Sequence, residues 1–126
     1  MGRILLVEDH RETREVLAQM LEIHGHAVDW AESAEGAWET LSRHIPDAII
    51  ADQRLPGMSG LALLDRMRRN ARFRRIPVVI CSGDDSQRDA ALSAGAADFW
   101  IKGSDGMFES IAKLGEILER KRPPNA

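Results

Sequence analysis

The sequence predicts an α/β fold, a three-layer αβα sandwich built on a five-stranded parallel sheet. Two observations predict it. Short aliphatic runs alternate with amphipathic stretches, strand then helix, five times along 126 residues, with no internal repeat and no low-complexity segment. Four of the five runs are almost wholly apolar, as strands covered by helices on both faces must be. The length suits one domain, and 44% hydrophobic with 29% charged residues is the balance of an ordinary soluble globular chain.

Ile4 to Val7 is a compact aliphatic run that ends in two acids, Glu8 and Asp9. Thr13, Val16, Leu17, Met20, Leu21 and His24 then recur at three- and four-residue steps, the mark of an amphipathic helix, which Gly25 stops. Ala27 to Ala31 reads as a second short strand. Ser33 offers an N-cap to a helix carrying Ala37, Trp38 and Leu41, which ends before Pro46. Ala48 to Ala51 contains the β-branched pair Ile49 and Ile50 and suits a buried strand. It ends on Asp52, then breaks into Pro56, Gly57 and Gly60. Leu61, Leu64, Met67 and Ala71 supply one face of a third helix. Pro77 to Ser82 is a fourth strand, apolar until its polar end; Gly83 to Asp85 is a loop, and Ser86 offers a cap for a short helix that stops near Gly95. Asp98 to Lys102 is the fifth strand, and Phe108, Ile111, Leu114 and Leu118 mark a last helix. Residues 1–121 form the expected domain; 122–126, with Pro123 and Pro124, read as a tail or the start of a linker.

Several function classes are set aside. A net charge of -3 makes no case for nucleic acid or membrane binding. Cys81 is the single cysteine, so no intrachain disulfide is available, and its place within a strand reads as core. The N-terminal apolar run is too short for a signal peptide or a membrane span, so the chain reads as cytoplasmic. There is no G-x-S-x-G, Walker loop or G-x-G-x-x-G. His10, His24, His26 and His44 lack metal-ligand spacing and read as loop or surface residues. The six arginines between Arg66 and Arg75 read as a solvated helix end, and no direct nucleic acid binding is expected. Trp100 faces the other side of its strand from Phe99 and Ile101 and is either core or a partner contact.

The candidate chemistry lies at strand ends. Right-handed crossovers put every strand C-terminus of a parallel sheet on one edge, which here receives Glu8, Asp9, Asp52, Ser82 and Lys102. Taken alone, Asp52 reads equally as a strand or loop cap. Three converging acids repel one another, and a hard divalent cation offsets that repulsion. Mg²⁺ takes oxygen ligands at roughly 2.0–2.1 Å, typically one or two carboxylates plus phosphate oxygens and water. Lys102 and Ser82 suit the equatorial oxygens of a phosphoryl group. One carboxylate is then left as nucleophile toward phosphorus, and Asp52 on the central strand is the candidate.

Together these residues resemble the receiver domain of two-component response regulators, the CheY-like family, over essentially the whole chain. The resemblance is carried by Glu8 and Asp9, by Asp52 followed by Leu55, Pro56, Gly57, Met58, Ser59 and Gly60, by Ser82 with Gly83, and by Lys102 after the stretch from Gly95 to Phe99. It implies a flavodoxin-like strand order 2-1-3-4-5. It implies that Asp52 accepts a phosphoryl group from a sensor histidine kinase or a phosphotransfer protein. Asp9 would bind Mg²⁺ directly, Glu8 through water, and the backbone carbonyl of Arg54 and Asp52 itself would complete the protein's share. Ser82 would be the switch hydroxyl, Lys102 the phosphate-contacting lysine and Phe99 the switch aromatic. Output would pass through the last helix, the fifth strand and the helix before it. Arg54 and Asp84 would flank the phosphoryl group and modulate its hydrolysis. Such a protein catalyses only its own phosphorylation and dephosphorylation, acting as a single-domain regulator or as a receiver cut from a longer chain. The alternative is a receiver-like interaction module that takes no phosphate; a flavodoxin is more distant, since no Ser/Thr-rich loop follows the first strand. The family usually has Pro after this lysine, commonly cis, where this chain has Gly103, which tolerates unusual backbone geometry without enforcing it.

Overall fold

The computed structural model describes residues 2–121, so the tail from 122 onward lies outside the described residues. Five strands, β1 (Arg3–Val7), β2 (Ala27–Ala31), β3 (Ala48–Asp52), β4 (Val78–Ser82) and β5 (Asp98–Ile101), form one sheet in the order β2-β1-β3-β4-β5. Every neighbouring pair is parallel. The expected α/β sandwich and strand order are therefore those of the molecule.

Alternation along each strand divides the core in two. Leu5, Val7, Ile49, Ala51, Val78, Ile80 and Phe99 point to one face and pack on α2 (Ala34–Arg43), α3 (Gly60–Arg68) and α4 (Arg88–Ser93). Ile4, Leu6, Ile50, Val79, Cys81 and Trp100 point to the other, against α1 (Arg11–Ile23), α5 (Asp105–Ala112) and α6 (Leu114–Lys121). Two-sided cover explains why β3 and β4 carry no polar residue before their last positions and β1 none after the exposed Arg3 at its start. The chain leaves β1 for β2 on one side and returns to β3 on the other. The C-terminal ends of β1 and β3 therefore flank the point where strand order reverses, where open α/β sheets keep their ligand crevice.

Caps account for most helix starts. Ser33, Ser59 and Ser104 accept from the backbone N–H three residues on, and Gly25 closes α1 with φ +89°.

Several expectations are corrected. Ser86 does not cap α4: its N–H and hydroxyl both go to Asp84 Oδ1, at 2.9 and 2.6 Å, and Gln87 stands at the cap without a side-chain bond. The last helix is two, parted at Lys113, whose N–H is shared by the carbonyls of Glu109 and Ser110. Its buried face is Met107, Ile111, Leu114 and Ile117, while Phe108 stands 50% exposed. Ala71 lies beyond the end of α3. His26 is buried at the end of the α1–β2 turn, its backbone N–H on the Leu21 carbonyl and its Nδ1 unpartnered, whereas His10, His24 and His44 are exposed as expected. Trp100 is core, its Nε1 donating to Asp98 Oδ2 at 2.9 Å. The arginine run is more than a solvated end. Arg68 donates to the carbonyls of Arg74, Ile76 and Gly95, Arg66 stacks on Trp38, and Arg69 pairs with Asp65. Among the described residues no helix is long and apolar enough to cross a membrane.

Candidate functional site

Four of the five strand ends deliver one part of the site each. Glu8 follows β1 and is 1% exposed, its backbone N–H bonded to the carbonyl of Ala31. Asp52 closes β3 and Ser82 closes β4, both buried. Lys102 follows β5, its backbone N–H on the Ser82 carbonyl at 2.8 Å.

The side chains converge. Lys102 Nζ lies 2.5 Å from Glu8 Oε1 and 3.0 Å from Asp52 Oδ2. Carboxylate oxygens of Glu8, Asp9 and Asp52 all lie within 4.8 Å of one another. Asp9 is exposed and forms the solvent side of the cluster. Three acids and one lysine leave the cluster short of positive charge. At Glu8 burial wins: desolvation raises the pKa, against the hydrogen bonds from Lys102 and the His10 N–H, and the charge of Asp52 adds to the rise. At Lys102 burial alone would lower the pKa, but the bonds to Glu8 and Asp52 outweigh it and leave it raised. All the donors are hard oxygens, and one edge is open to solvent, so the set fits a Mg²⁺ that keeps water ligands.

Beside this cluster a polar crevice of about 370 Å³ is lined by Arg54, Ser59, Ser82, Asp84, Ser86 and Gln87. Arg54 and Asp84 face it from the β3 and β4 loops but form no ion pair. Ser86 holds the Asp84 carboxylate instead, and its hydroxyl and then its N–H keep the Asp84 pKa below the usual range. Phe99 is 3% exposed in the first core layer, with the Arg88 guanidinium 5.1 Å from its ring centre. The thiol of Cys81 lies in the other layer, its pKa pushed up to about 12 by burial, so it takes no part.

Two contributors have no clear sequence signal. Gly60 starts α3 against the end of β3, where an added Cβ would come within 2.5 Å of the Asp52 carbonyl oxygen. Sequence marks it only as loop punctuation. Arg14 lies on a helix whose neighbours are charged and exposed, yet it is buried and donates to the Glu8 carbonyl at 3.1 Å. At Gly103 φ is +73°, and Ser104 at once caps α5 while donating to the Ile101 carbonyl at 2.7 Å. The turn after Lys102 is thus a glycine turn rather than a proline one.

A model of the response regulator receiver domain matches residues 4–110. Response regulator MprA of Mycobacterium leprae is 33% identical over 98% of this chain and 54% of its own length. This chain spans about half the length of the curated relatives it matches. Among solved structures, the signal receiver domain of a signal transduction histidine kinase from Syntrophus aciditrophicus superimposes with TM-score 0.79 at 31% identity, over 96% of this chain and 89% of that one. Response regulator TrrA from Thermotoga maritima, in complex with Mg²⁺-BeF, does so with TM-score 0.82 at 27% identity, over 93% and 99%.

Proposed function

Since the chain belongs to the family of response regulator receiver domains of two-component systems, we propose that Asp52 accepts a phosphoryl group at the site where Glu8, Asp9 and Lys102 meet. The observation that carries this reading is Lys102 Nζ at 3.0 Å from Asp52 Oδ2, inside a three-carboxylate cluster at the sheet's switch point. An Asp52 carboxylate oxygen attacks the phosphorus of a phosphohistidine. The new O–P bond forms as the P–N bond breaks, and that electron pair returns to the imidazole. Lys102 moves from the carboxylates to a phosphoryl oxygen, and the Ser82 hydroxyl donates to another. Glu8, Asp9, Asp52 and the Arg54 carbonyl would hold Mg²⁺, which when bound neutralises charge gathering on acids and phosphoryl oxygens. The buried, pKa-raised Glu8 supports that assignment, because an acid so poorly solvated gains from a cation.

The donor is a histidine kinase or a phosphotransfer protein. We assign its docking to the groove of about 440 Å³ between α1 and α5, where Val16, Met20, Met107 and Phe108 give an apolar lining that ends at Lys102. Output passes through α4, β5 and α5 by way of Ser82 and Phe99. The domain catalyses only its own phosphorylation and dephosphorylation. Incubation with acetyl phosphate and Mg²⁺, followed by a phosphate-affinity gel, tests the reading. Wild type should shift, and Asp52→Asn and metal-free wild type should not. An unshifted wild type would favour the non-phosphorylated interaction module.

A further inference from the structure

Arg14 is 7% exposed, although it lies on the same helix as the exposed Arg11 and Glu15. Its guanidinium donates to the backbone carbonyl of Glu8 at 3.1 Å, and its own backbone N–H bonds the His10 carbonyl. The half-exposed indole of Trp30, on β2, covers it with the ring centre 4.0 Å away. Glu32 Oε1 approaches at 3.9 Å from outside. So an arginine is desolvated under a tryptophan and aimed at one peptide group. That peptide joins Glu8 to Asp9, the two acids of the cluster.

From this arrangement we infer that Arg14, seated by Trp30, is a positioning residue for the Glu8–Asp9 pair. A trans peptide is planar, so fixing the direction of the Glu8 carbonyl also fixes the Asp9 N–H and Cα on its other side. Asp9 is exposed, and among the described residues none donates a hydrogen bond or ion pair to its carboxylate, so its placement comes from its backbone. The Glu8 N–H, which belongs to the preceding peptide, is held by the Ala31 carbonyl, so the Arg14 contact is what fixes the Glu8–Asp9 peptide from its carbonyl side; removing it frees that peptide to rotate. Arginine suits the task because its planar fork can donate in its plane while stacking its face on an indole. Second-shell groups that orient metal ligands typically change metal affinity by about 10- to 100-fold when lost.

The inference rests on the reading of Glu8, Asp9 and Asp52 as a Mg²⁺ site. Calorimetric Mg²⁺ titration of the full chain, paired with denaturant melts, tests it. Arg14→Met keeps the stem but loses the donor, and its Mg²⁺ Kd should rise about tenfold. Arg14→Lys keeps a donor and should recover much of that loss, and Trp30→Ala should fall between. Arg68→Met removes another arginine that serves backbone carbonyls, away from the site, and should lower stability with Kd unchanged. An Arg14→Met protein that is folded, less stable and of wild-type Kd overturns the positioning role. Wild type that gives no Mg²⁺ binding overturns the metal-site reading itself, and this inference with it.

Discussion

Lys102 Nζ sits between two buried carboxylates, 3.0 Å from Asp52 Oδ2 and 2.5 Å from Glu8 Oε1. One cation at the end of β5 thus holds together acids from the ends of β1 and β3, far apart in the sequence. Removing it leaves both without their partner in a poorly solvated place. Lys102→Met should destabilise the metal-free protein by about 2 kcal/mol, below the usual figure for a fully buried pair because its side chain is 25% exposed. Mg²⁺ should restore part of the loss. Denaturant melts with and without the ion check this, and a stability equal to wild type would mean that the bridge is idle.

Asp52→Asn is expected to move stability the other way. Three acids share one lysine, so neutralising one of them relieves more repulsion than it forfeits attraction. Without metal, near neutral pH, the variant should be more stable by about 1 kcal/mol. Added Mg²⁺ should narrow the gap by stabilising wild type through binding. A less stable metal-free variant would show that the Lys102 contact outweighs the crowding.

These two variants bear on what the sequence made legible. Aliphatic runs ending in Glu8, Asp52, Ser82 and Lys102 were readable because strand burial and the parallel topology both leave a local pattern. Gly60 was not: its need for no side chain comes from the Asp52 carbonyl, which the fold alone brings near. Arg14 was equally silent, since a helix of alternating charges does not say which guanidinium goes under. Ser86 reads as a helix cap because serine often is one, but α4 begins at Arg88 with Gln87 at the cap, and Ser86 one residue earlier turns back to Asp84.

Gly60 can be tested against Gly115, which also lies in a helix but has open space where a Cβ would go. Gly60→Ala should cost about 1–3 kcal/mol, because backbone on both sides must shift, and should slow phosphorylation by disturbing Asp52. Gly115→Ala should instead stabilise by about 0.5–1 kcal/mol through helix propensity. Equal effects from the two would discount the close approach.

His26 gives the pH dependence. Burial lowers its pKa from the ordinary 6.5, so the folded chain holds it neutral where the unfolded chain protonates it. Its contribution is present above pH 6.5 and lost as pH falls through the folded value. His26→Leu should flatten the fall in stability as the pH drops below the ordinary histidine value of 6.5, whatever its stability at pH 8. A slope unchanged from wild type in melts across that range would place the titration elsewhere.

The last expectation concerns the lifetime of a phosphoryl group on Asp52. Arg54 and Asp84 face one crevice with opposite charges, an arrangement that on sequence alone suggests a lid over the attacking water. Geometry argues against a joint action. The Asp84 carboxylate is engaged by Ser86 at 2.6 and 2.9 Å, and the charge of Arg54 pulls on it more weakly than either bond. Both loops lie in solvent, where such a pull is screened. Each residue should therefore act on the water separately, Arg54 through its own bulk and charge, Asp84 through the loop that Ser86 stiffens. Arg54→Ala and Asp84→Ala should each change the autodephosphorylation rate, and the logarithms of the two changes should add in the double variant. Ser86→Ala should reproduce part of the Asp84 effect without altering that of Arg54. A double variant no faster than the quicker single would restore the lid, because removing either half of a pair removes the whole of it.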